Sequence, residues 1–243
     1  MQSSNPVLTQ KTFASLQESA DRMTINGTIT RTLVLLVLVV ASALFTWDKV
    51  RAGDVQQAVP WMLGGAVGGL VIALVTCFVQ RAAPFTAPAY ALCEGLLLGG
   101  LSAFMERRFH GLVLEAVLLT VCTLFGLLLA YRSGIIRATE KFKLGVFAAT
   151  AGIAVVYLVG FVMGLFGKNI PYIHESGWIG IGFSLFVVVI AALNLVLDFD
   201  FIEQGEAAGA PKYMEWYAAF ALMVTLIWLY IEFLRLLSKL RER

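Results

Sequence analysis

Residues 178–205 read WIGIGFSLFVVVIAALNLVLDFDFIEQG, and this stretch indicates the class of the protein. No charged side chain occurs within 178–197. A run of about 20 mostly apolar residues is what an α-helix needs to cross the hydrocarbon core of a bilayer. Acidic residues follow at once, with Asp198 and Asp200 one residue apart and Glu203 behind them. The stretch therefore predicts a membrane-spanning helix that leads into a group of carboxylates.

Similar apolar blocks recur along the whole chain. Hydrophobic residues make up 59% of the 243 residues and charged residues only 14%, which is roughly half the charged share of a soluble domain. A first block, 32–47, is long enough to span if its helix begins near Ile25 and Arg31 extends its charged end toward the headgroups. We predict an all-α integral membrane protein with seven transmembrane helices, and six helices plus an interfacial segment is the alternative. The other blocks of spanning length, or close to it, are 59–79, 87–105, 112–131, 144–166 and roughly 216–234.

The segments between the blocks are too short to hold a soluble domain. The sequence therefore predicts a polar N-terminal tail at 1–24, followed by a single membrane domain at 25–243. Loop lysines and arginines number nine on the side of the N-terminus and five on the other side. A basic C-terminal tail, made of Arg235, Lys239, Arg241 and Arg243, adds four to the latter and makes the count equal. The loop bias places the N-terminus in the cytoplasm by the positive-inside rule.

Ionisable side chains inside a bilayer are costly and are therefore candidates for function. Glu94 lies in the middle of APAYALCEGLLLGG, Glu115 lies one turn into the fourth span, and Glu232 interrupts LIWLYIEFLRLL. Two such carboxyls that face each other would share a proton and titrate as a coupled pair. Such a pair could sense pH or, once ionised, coordinate a hard cation. The alternative for Glu94 is a carboxyl that hydrogen-bonds to a neighbouring helix and serves packing.

Charged residues also mark the ends of two spans. Arg81 ends the second span and Asp198 the sixth, and in the predicted topology both lie on the cytoplasmic side, where a salt bridge between them is allowed. The alternative is that Arg81, Asp198 and Asp200 are headgroup-level charges without a further role.

The two aspartates are predicted to differ because residues two apart on a helix point about 200° away from each other. Asn194 and Asp198 share a stripe of small and polar residues that suits an interior face, so Asp200 falls on the opposite side. The alternative is that the helix ends at Leu197. In that case both aspartates would line a cation-attracting vestibule together with Glu203.

Several other chemistries have no support in the sequence. The G-x-S-x-G, H-E-x-x-H and G-x-x-x-x-G-K-[ST] motifs are absent, and both histidines lie in predicted loops. The three cysteines fall inside apolar spans at spacings that match no zinc site. An intramembrane aspartyl protease would usually carry a G-x-G-D motif, which is missing. We therefore expect neither an enzyme nor a cofactor, and we expect the lipid bilayer rather than nucleic acid as a partner.

Three stretches resemble one protein family. CEGLLLGG (93–100), LNLVLDFDFIEQG (193–205) and LYIEFLRLL (229–237) are similar to the Bax-inhibitor-1 family, also called the transmembrane BAX inhibitor motif family. The resemblance covers essentially 23–240. MTINGTITRT (23–32) and YRSGIIRATEKFKLGV (131–146) resemble its prokaryotic branch, which implies the inner membrane of a bacterium.

The resemblance implies seven helices with the last one central, and a pH-sensitive calcium leak controlled by two acids. Asp198 matches the first acid, Glu232 matches the second, and Arg81 matches the arginine latch. When protonated, the acids would hydrogen-bond and close the gate. When ionised, they would repel each other and could contact Ca²⁺, and Arg81 could compensate only one of them.

The sequence departs from the family pattern at two places. The second acid is Glu232 rather than aspartate, and the connection 201–215 is longer than usual. Some bacterial members are associated with membrane quality control as modulators of a membrane protease. The alternative function is therefore a regulator that does not transport ions, and its polar tail would contact a protease or another membrane protein.

Overall fold

A computed structural model of the chain describes residues 22–167 and 177–243. Within these two ranges seven long helices follow one another, and each is long and apolar enough to cross a membrane. The predicted all-α fold with seven spans is confirmed, and the alternative with six spans is wrong. A short 3-10 helix, Gln80–Ala82, precedes the third helix. The seven are α1 Ile25–Ala52, α2 Val55–Phe78, α3 Ala83–Arg108, α4 Leu112–Arg132, α5 Glu140–Leu165, α6 Trp178–Ala207 and α7 Met214–Arg241.

The last helix is the centre of the bundle. α7 packs against α1, α3, α4 and α6. In its spanning window 61% of the residues are buried, against 11% in α5, which packs mainly on α6. The central position that the family resemblance implies for the last helix is confirmed.

Glycines let α3 approach its neighbours closely. A Cβ atom at Gly99 would lie 2.0 Å from the backbone oxygen of Ala43, and one at Gly95 would lie 2.3 Å from that of Val39. Both oxygens belong to α1. Small residues at helix interfaces are how membrane helices gain van der Waals contact without a hydrophobic driving force. The glycines of CEGLLLGG thus fix α3 against α1.

The sixth helix is longer than the sequence predicted. It continues through the acidic stretch to Ala207, so only 208–213 connect it to α7. The alternative in which the helix ends at Leu197 is wrong, and most of the predicted connection 201–215 is helical. Hydropathy marks the part of a helix that crosses the bilayer, whereas the glutamates and glutamine after Asp200 are good helix formers in water.

The residues just before α1 hydrogen-bond to the connection between α6 and α7. The helix begins at Ile25, as predicted, and the Thr24 side chain accepts a hydrogen bond from the Gly27 N–H. The Met23 N–H donates to the Ala210 oxygen at 2.7 Å, and the Met23 side chain is buried. Residues 1–21 of the predicted tail lie outside the described residues.

Candidate functional site

Asp198 lies at the interface between α6 and α7. Its side chain faces the hydroxyl of Thr225 on α7. Its second oxygen, Oδ2, is buried and has no hydrogen-bond partner. An unsatisfied buried acceptor costs about 1–3 kcal/mol, and more when it is charged. The packing of α6 against α7 therefore leaves one of the two Asp198 carboxyl oxygens without a partner.

Asp200 faces a different helix. Its Oδ2 accepts from Lys143 Nζ of α5 at 2.8 Å and from Gln204 Nε2 at 2.5 Å. Lys143 also lies 3.3 Å from Glu140. The sequence placed the two aspartates on opposite sides of one helix, and the structure has this arrangement. Asp200 serves an ion pair between α5 and α6.

Glu232 is held in a closed network within the bundle. The side chain is 1% exposed, and Oε1 accepts from Arg235 Nη1 at 2.7 Å, Tyr157 Oη at 2.8 Å and Trp228 Nε1 at 3.3 Å. Arg235 Nη1 also lies 3.0 Å from Oε2 and 2.5 Å from the Tyr157 hydroxyl. Glu232 therefore has a cation and two further donors close by.

Asp198, Glu232 and Arg81, the three residues of the predicted gate, are not linked by hydrogen bonds or ion pairs in the described part of the chain. No hydrogen bond links Asp198 to Glu232 in the described part of the chain. Thr225, which faces Asp198, and Glu232 are seven residues apart on α7, or about 10 Å along the helix axis. Arg81 is exposed in the 3-10 helix, and it forms no ion pair with any residue that the structure describes. The structure thus gives Glu232 a cation from its own helix and gives none to Asp198.

The remaining candidates occupy packing or surface positions. Asn194 Nδ2 donates to Thr150 Oγ1 at 2.8 Å, which links α6 to α5. Glu115 pairs with Arg241 Nη2 at 2.7 Å, with its side chain 50% exposed. Glu94 is half-buried against α2, where a Cβ at Gly69 would lie 3.0 Å from its Oε1. Among the described residues no group of three or more His, Cys, Asp or Glu side chains could hold a metal ion.

A buried acid at the start of α7 was not singled out from the sequence. Glu215 is 2% exposed, and its Oε1 accepts from both the N–H and the hydroxyl of Thr24, at 3.1 and 3.0 Å. Its Oε2 lies 3.2 Å from Arg31 Nη2. Arg31 therefore pairs with a buried acid instead of only extending toward the headgroups. A Cβ at Gly27 would lie 1.9 Å from Glu215 Oε1, so the glycine of MTINGTITRT makes room for this carboxylate.

A buried lysine was also missed. Lys239, assigned to the basic tail by the sequence, is 5% exposed inside the last turns of α7. Its Nζ donates to the Gly180 oxygen at 3.1 Å and to Ser184 Oγ at 2.9 Å, both on α6. The regular spacing of Glu232, Arg235 and Lys239, three and four residues apart, is the signal that the helix continues.

Comparison with known protein families identifies the family of this chain. Residues 5–242, nearly the whole chain, match the family described as Bax inhibitor 1 like. A comparison with curated proteins finds no match. The resemblance read from 93–100, 193–205 and 229–237 is therefore confirmed. With its seven spanning helices around a central α7, the chain belongs to the Bax inhibitor 1 like family.

Proposed function

We propose that the protein is a passive leak for calcium or a similar cation, and that the ionisation of Asp198 opens it. Family membership supports a membrane protein of the Bax inhibitor 1 like family. The observation that carries the proposal is the buried Asp198 Oδ2, which has no hydrogen-bond partner and lies at the interface with the central helix.

The packing around Asp198 explains why its charge would matter. Leu195 and Phe199 of α6 and Leu222 and Leu226 of α7 belong to the same buried apolar cluster. A neutral carboxyl is tolerated there. An ionised one would be an unpaired charge inside a packed interface, which costs several kcal/mol unless a cation or water reaches it. Ionisation should therefore favour a state in which α6 and α7 separate enough to admit a hydrated cation.

The end of α6 would guide cations toward this position. Glu203 and Glu206 are exposed on the turns that follow Asp198. Clustered carboxylates raise the local concentration of cations. Glu232, the second acid of the family pattern, lies two turns after Thr225 on α7. There its proposed role is to neutralise the charge of Arg235. Arg81 enters the proposal through the family pattern, and pairing with Asp198 would require it to move.

Flux into reconstituted vesicles tests the proposal. Purified protein in vesicles loaded with a calcium dye should give a signal that rises with pH across about pH 5 to 8, a range in which perturbed carboxyls titrate. The sign follows from the mechanism, because the ionised form is the open one. Vesicles without protein are the control. No dye response at any pH would contradict transport and favour the regulator.

Removal of the N-terminal tail separates the two functions further. Deleting residues 1–21 leaves the Arg22–Pro211 bridge in place. A leak should largely keep its flux in this variant, whereas a regulator that binds through its tail should lose its partner.

A further inference from the structure

An apolar groove of about 310 Å³ lies between α1, α3, α4 and α7. Its walls are the stretch of α1 from Leu36 to Trp47 and the stretch of α4 from Val113 to Leu124. Its floor is formed by α3 and α7. The two walls do not pack against each other along their length, so the groove opens sideways between them.

The polar groups in the groove are already satisfied. Ser102 Oγ and the Tyr230 hydroxyl share a hydrogen bond of 2.6 Å on the floor. The Thr120 hydroxyl donates to the Ala116 oxygen at 2.8 Å within α4. An apolar cavity without free polar partners does not hold water. It also offers a polar side chain of another protein nothing to bond with.

The shape of the groove fits a hydrocarbon chain and not a helix. The wall from Leu36 to Trp47 is about 16 Å long at 1.5 Å per residue. A helix with side chains is about 10 Å across and would need several times the observed volume over that length. The volume has room for on the order of ten methylene groups, if each takes about the 30 Å³ of a water in the liquid.

Two arginines lie at one end of the groove. Arg51 follows Trp47 by one turn on α1, and Arg107 Nη2 donates to the Arg51 backbone oxygen at 3.2 Å. Both side chains are exposed, and neither forms an ion pair with a residue that the structure describes. Guanidinium groups bind phosphate through paired N–H donors. Trp47 at this end is also the residue type that anchors at the level of headgroups.

We propose that the groove holds one acyl chain of an anionic phospholipid, with the phosphate on Arg51 and Arg107. The site is independent of the proposed leak, because it uses neither Asp198 nor Glu232. The lipid contacts Met223 and Ile227 of α7 and therefore packs directly against the central helix.

Native mass spectrometry with phosphatidylglycerol as the probe tests the chain-binding part. Purified protein in detergent is incubated with this lipid, and retained adducts are counted after detergent exchange. The wild type should keep one lipid. Val117→Trp fills the groove from the α4 wall and should lower retention about tenfold. Leu118→Trp is the matched control, since Leu118 is 53% exposed and lies outside the groove.

A less bulky substitution guards against misfolding. Val117→Phe should lower retention in the same direction, and size-exclusion profiles and helicity show that each variant is folded. Equal retention by folded Val117 and Leu118 variants would overturn the proposal. A second copy of the chain in place of a lipid, lost on Val117→Trp, would also overturn it and make the groove a protein interface.

Paired arginine substitutions test the headgroup part. Arg51→Gln with Arg107→Gln should weaken phosphatidylglycerol retention about tenfold and leave the retention of diacylglycerol, which has no phosphate, nearly unchanged. Arg132→Gln with Arg137→Gln removes the same charge near the other end of α4 and serves as the control. Equal losses in the two double variants would contradict a phosphate site on Arg51 and Arg107.

Discussion

Asp198 and Asp200 lie two residues apart on α6 and face different helices: Asp198 faces Thr225 of α7, whereas Asp200 pairs with Lys143 of α5 at 2.8 Å. One position is a carboxyl against the central helix that has one oxygen without a partner. The other is a satisfied carboxyl against a peripheral one. The geometry of a helix, with about 100° per residue, separates the two aspartates in this way. They therefore provide a matched pair of substitutions for any measurement on this protein.

The Glu232–Arg235 network should be costly to break from one side. Arg235→Met removes the cation from an acid that is 1% exposed, and an uncompensated buried charge destabilises by about 3 kcal/mol. We expect a clear loss of thermal stability in detergent. The double variant Arg235→Met with Glu232→Gln should recover part of it, because glutamine still accepts from Tyr157 and Trp228.

The Glu115–Arg241 pair is the control for that experiment. Its side chains are 50% and 30% exposed, so Glu115→Gln should cost less than about 1 kcal/mol. If Arg235→Met is as mild as Glu115→Gln, Glu232 is not a charged, buried member of the network.

Glu215 and Glu206, which both accept hydrogen bonds from the start of α1, should contribute unequally to the free energy of unfolding. Glu215→Gln removes the charge that pairs with Arg31, and charged hydrogen bonds contribute about 1.5–3 kcal/mol. Glu206→Gln affects a carboxylate that accepts from the Ile25 N–H at an exposed position, and it should cost less than about 1 kcal/mol. Melting curves of both variants give the comparison. A larger loss of thermal stability in Glu206→Gln than in Glu215→Gln would contradict the prediction that Glu215 contributes more.

A single methyl group at Gly95 should disturb the contact between α1 and α3. Its Cβ would meet the Val39 backbone oxygen at 2.3 Å, and a backbone atom can move only with its helix. Overpacking of this kind costs about 1–3 kcal/mol. Gly64→Ala is the control, since nothing lies within 4 Å of its Cβ position and alanine favours a helix. Thermal unfolding of Gly95→Ala at or above the wild-type temperature would show that the helices are not in contact there.

Much of the fold follows from the sequence because the bilayer imposes simple rules. Apolar blocks of spanning length predicted all seven helices, and the start of α1 at Ile25 followed from adding about two turns to a short block. The different directions of Asp198 and Asp200 followed from helix periodicity alone. These features depend on local composition and on one regular geometry.

Partner choice at the candidate site could not be predicted in the same way. Hydropathy assigned Arg235 and Lys239 to a tail, although both continue α7 and lie against α6 or α5. Long basic side chains can be buried when carbonyls, hydroxyls or acids receive their donors, and a hydropathy scale does not include those partners. Glu215 was missed because its partners, Thr24 and Arg31, are nearly two hundred residues away in the chain.

The pH dependence of calcium flux in Asp198→Asn, compared with Asp200→Asn, tests the central claim most directly. Vesicles with each variant are measured by the calcium dye across about pH 5 to 8. Asparagine at 198 cannot ionise, so the rise of flux with pH should disappear. Asparagine at 200 removes only the partner of Lys143, so most of the rise should remain. Equal effects of the two substitutions on the pH response would contradict the assignment of Asp198 as the gating acid.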